Sequence, residues 1–293
     1  FKNEALIRRL VSANLRVGTE KSMQNLIGYA DMENNPELMR AEAVAALGVW
    51  PKPSVLDRVD GRLRGLVKRD SLLVVSRSET TLLKLLHNKD VKLRFAAAVA
   101  AGKLQLKSSE PHLLALLRKD PSAEMRKEAL NALAKLNSAK ISDAIQLALK
   151  DMEKLVRVAG IDLLGKTAVS PELMVKLLGE VINTKSSEEK QAALLMLGRL
   201  PVAQTQKVFD AQLDKMAKGT LSPDVYIELA EAIDSSHSAA LSTRYKTISS
   251  TLSADELTAS FAGSLFGGNP DRGRDIFYGG EAAQCIRCHA YDD

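Results

Sequence analysis

DPSAEMRKEALNALAKL, residues 120–136, holds the pattern on which our interpretation of the whole chain rests. The segment opens with Asp120, places a cation six residues later at Arg126, and has an apolar side chain four residues after the cation, at Leu130. A small residue, Ala134, follows eight residues after the cation. Positions three, four, seven and eight after Arg126 share one face of an α-helix. The segment therefore predicts an amphipathic helix whose small residue lets a neighbouring helix approach closely.

The same pattern recurs in four other segments, residues 34–50, 88–104, 151–167 and 184–200. Each opens with a polar residue that can cap a helix. The cations are Arg40, Arg94, Arg157 and Lys190, and the small residues are Gly48, Gly102, Gly165 and Gly198. Shorter amphipathic runs lie between the segments, so each repeat is a helical hairpin that cannot bury its apolar face alone. We therefore expect an all-α chain, built as an α-solenoid of stacked hairpins.

These repeats resemble the HEAT-repeat family, over roughly residues 20 to 235. The family pattern pairs an Asp in the turn between the helices with an Arg six residues on, and these residues form a ladder between repeats. The pairs Asp120 with Arg126 and Asp151 with Arg157 match fully. Asn34 with Arg40 and Asn88 with Arg94 match with a neutral acceptor, and Thr184 with Lys190 departs furthest. The resemblance implies a structural ladder along the solenoid.

The period breaks between the repeats of Arg40 and Arg94, where an insert around residues 51–78 adds extra chain. The insert begins with two prolines, which stop a helix. It holds the densest basic stretch of the sequence, which comprises Arg58, Arg62, Arg64, Lys68 and Arg69. We interpret it as a solvated connection, with a docking loop as the alternative.

Three regions follow from composition along the chain. Residues 1–250 form the HEAT-like solenoid with its insert, and the repeat signature fades after Pro201 as expected of a capping region. Residues 251–269 read as a helix and a breaker-rich linker. Residues 270–293 have a different character, with a short helix predicted over 271–277.

The last region contains CIRCH, residues 285–289, which is the pattern of c-type haem attachment. Two thiols separated by two residues, Cys285 and Cys288, can form thioethers with the two vinyl groups of a porphyrin. The next residue, His289, then offers its imidazole to the iron as the proximal axial ligand. We predict a covalent haem c at these three residues, with His289 as the metal ligand.

Three other kinds of site fit the motif less well. A structural zinc site needs four ligands, whereas Cys285 and Cys288 are the only cysteines, and His87, His112 and His237 lie far back in the sequence. A thioredoxin-like redox pair expects a strand before the motif. A disulfide between these cysteines would close a very small loop and add little stability.

Residues 270–293 also resemble the start of the class I cytochrome c fold, in which a Gly and an aromatic residue four positions later lie on the first helix. Gly273 and Phe277 match that pair, although Phe277 precedes Cys285 by eight residues, which is a longer spacer than is usual. The first residue is Phe1 and only four residues follow His289, so we expect a piece of a longer protein. The resemblance then implies an attachment site without the complete haem pocket and without its distal ligand.

The order of modules is similar to that of large exported bacterial proteins in which a dehydrogenase domain precedes the repeats. This resemblance implies electron transfer through the haem, with the solenoid linking the haem to a redox partner protein or domain. It also implies a periplasmic or otherwise exported protein, because c-type haem is attached outside the cytoplasm. We expect no catalytic residue in the solenoid itself, and whether the parent protein is an enzyme, with a dehydrogenase as the candidate, stays open.

Two other functions stay open. One is a protein-binding helical-repeat scaffold without a redox role, and the other is a nucleic-acid-binding HEAT protein. The net charge of +5 is modest, basic residues alternate with acidic ones, and aromatic residues for base stacking make up only 4 % of the chain. We therefore expect no nucleic-acid partner. The sequence has no apolar run of 18 residues, so we expect no membrane-spanning segment.

Overall fold

A computed structural model describes residues 3–167, 169–251, 268, 270–279 and 288 of the chain. These residues form α-helices joined by turns and, between residues 49 and 70, by a longer insert, with two single-turn 3₁₀ segments and an isolated pair of bridged residues but no strand. In chain order the α-helices are α1 (Glu4–Val17), α2 (Glu20–Asp31), α3 (Glu37–Gly48), α4 (Ser71–Leu85), α5 (Val91–Leu104), α6 (Glu110–Lys119), α7 (Ala123–Lys135), α8 (Ile141–Leu149), α9 (Lys154–Leu164), α10 (Pro171–Thr184), α11 (Ser187–Leu197), α12 (Val202–Ala217), α13 (Tyr226–Ser235), α14 (Ala239–Ser250) and α15 (Pro270–Gly279).

The chain divides into two compact units, residues 1–167 and 168–293. In the first unit α2 pairs with α3, α4 with α5, α6 with α7 and α8 with α9, so the helices form successive hairpins. The second helix of each hairpin packs on the next in the order α3, α5, α7, α9, and we call these four the ladder helices. Their facing sides consist of fully buried Ala, Leu and Met side chains. The predicted all-α, HEAT-like solenoid architecture is thereby confirmed.

Each ladder helix begins three residues later than the polar residue that we expected to cap it. Asp90 caps α5, where its Oδ1 accepts from Leu93 N at 3.0 Å, and Ser122 caps α7, where its Oγ accepts from Met125 N at 3.2 Å. The capping role predicted for Asp120 is therefore wrong. Its carboxylate instead accepts from Ser122 N at 3.0 Å and turns toward the preceding hairpin, since Arg94 lies there. A residue inside the turn can reach that neighbour, whereas a residue at the cap faces its own helix.

Small residues at the predicted position do let helices approach closely. A Cβ added at Gly48 would lie 2.9 Å from Ala100 Cα, and one added at Gly102 would lie 3.1 Å from Ala132 Cα. In the second unit the same position, Gly198, would place a Cβ 2.6 Å from Ala232 Cα. Gly165 does not follow the prediction, because it lies exposed at the C-terminal end of α9.

The second unit also consists of helical hairpins over its described residues. α10 pairs with α11, α11 packs on α13, and α12 packs on α14. A capping box fixes the start of α11, where Ser186 N donates to Glu189 Oε2 at 3.3 Å and the backbone N–H of Glu189 donates to the Ser186 side chain. The described residues after Pro201 form α12, α13 and α14, and the short helix predicted over 271–277 is confirmed as α15. The helix predicted within residues 251–269 falls outside the described residues.

Within the described part of the chain, every helix is too short or too polar to pass through a lipid bilayer.

Candidate functional site

Among the described residues of the first unit, two largely buried ion pairs belong to the predicted ladder. Arg94 donates from Nε to Asp120 Oδ2 at 2.7 Å, and Arg126 donates from Nε to Asp151 Oδ2 at 2.7 Å and from Nη2 to Asp151 Oδ1 at 2.7 Å. Each arginine also donates from Nη1 to the turn of its own hairpin, at Asn88 O and Asp120 O, both at 2.8 Å. One guanidinium therefore joins two successive hairpins, which is a structural role.

The outer members of the repeat series depart from this geometry. Arg40 is buried and donates from Nε to Ala30 O at 2.8 Å, so a carbonyl of the preceding helix is its acceptor. In the second unit Gln191, the residue after Lys190, donates from Nε2 to Asp224 O at 2.6 Å. A neutral side chain, Gln191, therefore makes this contact next to Lys190, where the sequence departs furthest from the family pattern.

The insert is shorter than we expected, and hydrogen bonds attach it to α1. It ends at Asp70, because α4 begins at Ser71, and the predicted limit of residue 78 is wrong. Asp57 is buried in the insert and accepts from Val59 N at 2.8 Å and from Ser12 Oγ on α1 at 3.0 Å. The backbone N–H of Val59 holds the pKa of Asp57 below its ordinary value against the opposing effect of burial, with Ser12 and the charge of Arg16 helping.

Arg69 fastens the other end of the insert. It donates from Nη1 to Trp50 O at 3.0 Å and from Nη2 to Leu15 O at 2.7 Å, and its guanidinium lies 4.6 Å from the centre of the Trp50 ring. Burial, followed by the charge of Arg16, lowers the pKa of Arg69. The interpretation of the insert as a solvated connection is therefore wrong for Asp57 and Arg69, which bind it to α1 and to the end of α3.

Between the insert and α1 lies a cavity of about 580 Å³, which we call the arginine pocket. Its charged lining comprises Arg9, Arg16, Asp57, Asp60, Arg62 and Arg64. Asp57 lies 3.4 Å from Arg16 Nε and 3.6 Å from Arg64 Nε, and Asp60 accepts from Arg64 Nη2 at 2.7 Å. Four guanidinium groups thus face two carboxylates around one cavity.

A second, apolar cavity of about 490 Å³ lies on the ladder helices, and we call it the α3–α5 groove. Its apolar lining comprises Leu38, Ala41, Ala45, Val91, Phe95 and Val99. Leu38 and Phe95 are each 40 % exposed, although the opposite sides of α3 and α5 are buried in the hairpin stack. We did not predict this groove from the sequence. The signal for it was the apolar character of Leu38 and Phe95, which lie within two residues of Arg40 and Arg94 and outside the core positions of the pattern.

Two histidines from different hairpins meet in the first unit. His87 Nε2 and His112 Nδ1 are 2.7 Å apart, and the rings pack edge to face with centres 4.8 Å apart. Burial, with a smaller contribution from the charge of His87, lowers the pKa of His112. Among the described residues no group of three or more His, Cys, Asp or Glu side chains could hold a metal ion.

Of the predicted haem-binding residues, the structure describes only Cys288, which lies in a turn with an exposed, free thiol. Cys285 and His289 lie outside the described residues. Upstream, α15 carries both Gly273 and the half-buried Phe277, whose ring packs edge to face on Tyr278 with centres 5.2 Å apart. An exposed free thiol suits thioether formation, and two thiols with an imidazole are the donor set that c-type haem requires. The residues present therefore fit a covalent haem.

Comparisons with known proteins concern the fold alone. No family model matches the chain, and no curated protein matches it in sequence. Among solved structures, it is similar to the complex of CpcE and CpcF of phycocyanin lyase from Nostoc sp. PCC7120, with 17 % identity and a TM-score of 0.38 over 81 % of this chain and 85 % of that one. It is also similar to an engineered protein, with 17 % identity and a TM-score of 0.42 over 77 % of this chain and 97 % of that one. At these values neither similarity bears on function.

Proposed function

We propose that the chain is a helical-repeat scaffold that holds an amphipathic helix of a protein partner in the α3–α5 groove. The observation that carries this proposal is the exposed apolar lining around Leu38, Val91 and Phe95, on helices whose other sides are buried. An apolar groove between packed helices suits a helix with apolar residues at i, i+3, i+4 and i+7. Large exposed apolar patches mark interaction sites more often than chance exposure does.

The charges at the rim of the groove favour a partner helix with acidic flanks. Glu42 already pairs with Arg8 and with Arg58, whose Nη2 lies 3.3 Å from it, and Glu124 accepts from Ser122 Oγ at 3.0 Å. Lys92 is exposed and forms no ion pair among the described residues, while Arg58 remains 53 % exposed. Arg8, Arg58 and Lys92 thus contribute three positive charges against the two negative charges of Glu42 and Glu124. Acidic residues beside the apolar stripe of a partner helix would complement this positive excess.

Replacing Phe95 with Asp should weaken binding of such a helix at least about tenfold, because the change places a charge at the centre of the apolar lining. The probe is a labelled synthetic peptide with a Leu/Phe stripe and flanking glutamates, and fluorescence anisotropy gives its dissociation constant. Leu72→Asp is the matched control, since Leu72 on α4 is 74 % exposed and lies away from the groove. Equal binding to both variants, or equal binding of a peptide with flanking lysines, would refute the proposal.

We further propose that the chain serves electron transfer through a covalent haem c held by Cys285, Cys288 and His289. The supporting observation is the five-residue motif itself, together with the exposed free thiol of Cys288. The two thiols would hold the porphyrin and the imidazole would hold the iron, and the bound group would supply a one-electron couple. This function includes a redox partner, an upstream dehydrogenase domain among the candidates, and maturation in the periplasm or another exported location.

The haem proposal predicts a complete loss of covalent haem when both cysteines are replaced by alanine. The chain is co-expressed with c-type haem maturation proteins and exported, and haem staining on a denaturing gel then reports covalent attachment. Wild-type protein should retain the stain, whereas Cys285→Ala/Cys288→Ala should show none. His237→Ala is the control, because His237 lies outside the five-residue motif, and this variant should leave the stain unchanged. An unstained wild-type band beside a stained control cytochrome would overturn the proposal and leave the scaffold function alone.

A further inference from the structure

We propose that the arginine pocket binds a small ligand that carries two or more carboxylate or phosphate groups. The pocket lies entirely in the first unit, between α1 and the insert, and is distinct from both the α3–α5 groove and the haem motif. The inference therefore goes beyond the proposed function and stands or falls separately from it.

The charges that line the pocket are unbalanced. Arg9, Arg16, Arg62 and Arg64 contribute four positive charges, and Asp57 and Asp60 contribute two negative charges. Asp57 accepts hydrogen bonds from Ser12 Oγ, Val59 N and Asp60 N, which keep its charge oriented into the fold of the insert. Like charges held around one concave surface raise the local concentration of counter-ions. A ligand with two negative charges would restore neutrality.

Several guanidinium donors of the pocket are not used by the protein. Arg62 is 77 % exposed, and its only ion-pair contact among the described residues is a distant one, with Nε 3.9 Å from Asp60 Oδ2. Arg9 is exposed and forms no ion pair in the described part of the chain. Arg16 donates from Nη2 to Leu56 O at 3.0 Å, whereas its buried Nη1 has no hydrogen-bond partner. Unused donors of this kind bind planar or tetrahedral oxyanions in two-pronged contacts.

The walls of the pocket are already fixed before any ligand arrives. Leu56 and Leu63 form an antiparallel bridge, Asp57 N donates to Arg62 O at 2.9 Å, and Arg64 N donates to Val55 O at 2.7 Å. Arg69 ties the end of the insert to the last turn of α1. A binding surface that is ordered in advance loses less entropy when it binds a ligand. The cavity of about 580 Å³ admits a small organic polyanion rather than a single halide.

The test is isothermal titration calorimetry of the whole chain with citrate and, separately, with pyrophosphate, at low ionic strength. We expect saturable binding of one or both, weakened by added sodium chloride because exposed charges are screened. Binding of citrate alone would assign the site to carboxylates, and binding of pyrophosphate alone would assign it to phosphates. Absence of saturable binding of either anion at low ionic strength would overturn the proposal.

Variants with opposite expected effects sharpen the test. Arg9→Gln/Arg62→Gln should weaken binding at least about tenfold, and it should fold normally because both side chains are exposed. Asp60→Asn should strengthen anion binding about several-fold, because it removes a negative charge near the negatively charged ligand. The asparagine keeps the Oδ1 atom that accepts from Arg62 N at 3.0 Å, so the fold of the insert should not change. Arg118→Gln, an exposed arginine on α6, is the matched control and should change nothing. A control that weakens binding as much as the pocket variant would show nonspecific attraction and refute the site.

Discussion

Replacing Arg126 with Met should lower the free energy of unfolding by about 3–5 kcal/mol, which is the cost of leaving a buried charge without its partner. The side chains of Arg126 and Asp151 are only 8 % and 9 % exposed. Methionine has similar length and fills the space, so the loss reports the missing charge and hydrogen bonds. Asp151 would keep a hydrogen bond from Glu153 N at 2.8 Å, but it would lose both bonds from the guanidinium. Urea unfolding of the whole chain, followed by circular dichroism, measures the difference.

The pH dependence of this difference has a definite sign. Burial raises the pKa of Asp151, but the hydrogen bonds from Arg126 and Glu153 N outweigh it and hold the pKa below its ordinary value. A carboxyl with a lowered pKa stabilises the fold above its ordinary pKa, and this contribution is lost as the pH falls through the lowered value. The gap between wild type and Arg126→Met should therefore narrow in acid.

Two controls separate the ion pair from a general effect of the substitution. Arg118→Met removes an exposed arginine of the same unit and should change the free energy of unfolding by less than about 0.5 kcal/mol. Arg126→Met/Asp151→Leu removes both charges and should cost clearly less than the sum of the two single changes. An Arg126→Met variant as stable as Arg118→Met would show that the ladder pair contributes nothing.

Replacing Gly198 with Ala should lower the free energy of unfolding by about 2 kcal/mol, as expected for overpacking of a tight helix contact. The added Cβ would lie 2.6 Å from Ala232 Cα and 2.7 Å from Ala232 O, and both are backbone atoms of α13 that cannot rotate away. The backbone at Gly198 has φ −61°, a conformation that alanine adopts freely. The destabilisation would therefore come from separating α11 and α13 and not from backbone strain.

The matched control for this prediction should change stability in the opposite direction. Gly179 lies inside α10 of the same unit, and an added Cβ there meets no atom within 4 Å. Gly179→Ala should stabilise the chain by about 0.5–1 kcal/mol, because alanine favours the helix more than glycine does. Thermal unfolding of both variants gives the comparison. If Gly198→Ala is stabilising as well, the close approach of α11 and α13 does not exist.

The sequence predicted those features that depend on contacts within a helix or between adjacent hairpins. The 3.6-residue period identifies the buried face, and the recurrence of Arg94 and Arg126 at one register identifies the ladder. We placed the starts of the ladder helices too early. A polar residue of one type can either cap its own helix or bind the neighbouring hairpin from the turn. Asp120 binds Arg94 of the preceding hairpin, and the sequence alone does not distinguish this role from capping.

The insert and the histidine pair could not be predicted for a different reason. Arg69 binds backbone carbonyls at Leu15 and Trp50, and every residue has a carbonyl, so no sequence pattern marks these acceptors. His87 and His112 do not occupy equivalent positions of the repeat, so periodicity gives no reason to place them together. The haem motif, by contrast, can be proposed from the sequence alone, because all of its ligating residues lie within five consecutive positions.

The ion pairs that join successive hairpins of the first unit differ in their exposure to salt. Arg94 and Arg126 each join two hairpins through a guanidinium that is about one-tenth exposed. Arg40 instead turns back to Ala30, so the hairpins of α3 and α5 meet through the close packing of Gly48 against Ala100. Their first helices are joined by Arg77 with Glu20 at 2.8 Å and by Lys84 with Asp31 at 2.9 Å, and all four of these side chains are about half exposed. Added salt screens exposed charges more than buried ones, so we expect high ionic strength to weaken the ion pairs beside the α3–α5 groove before it weakens the ladder.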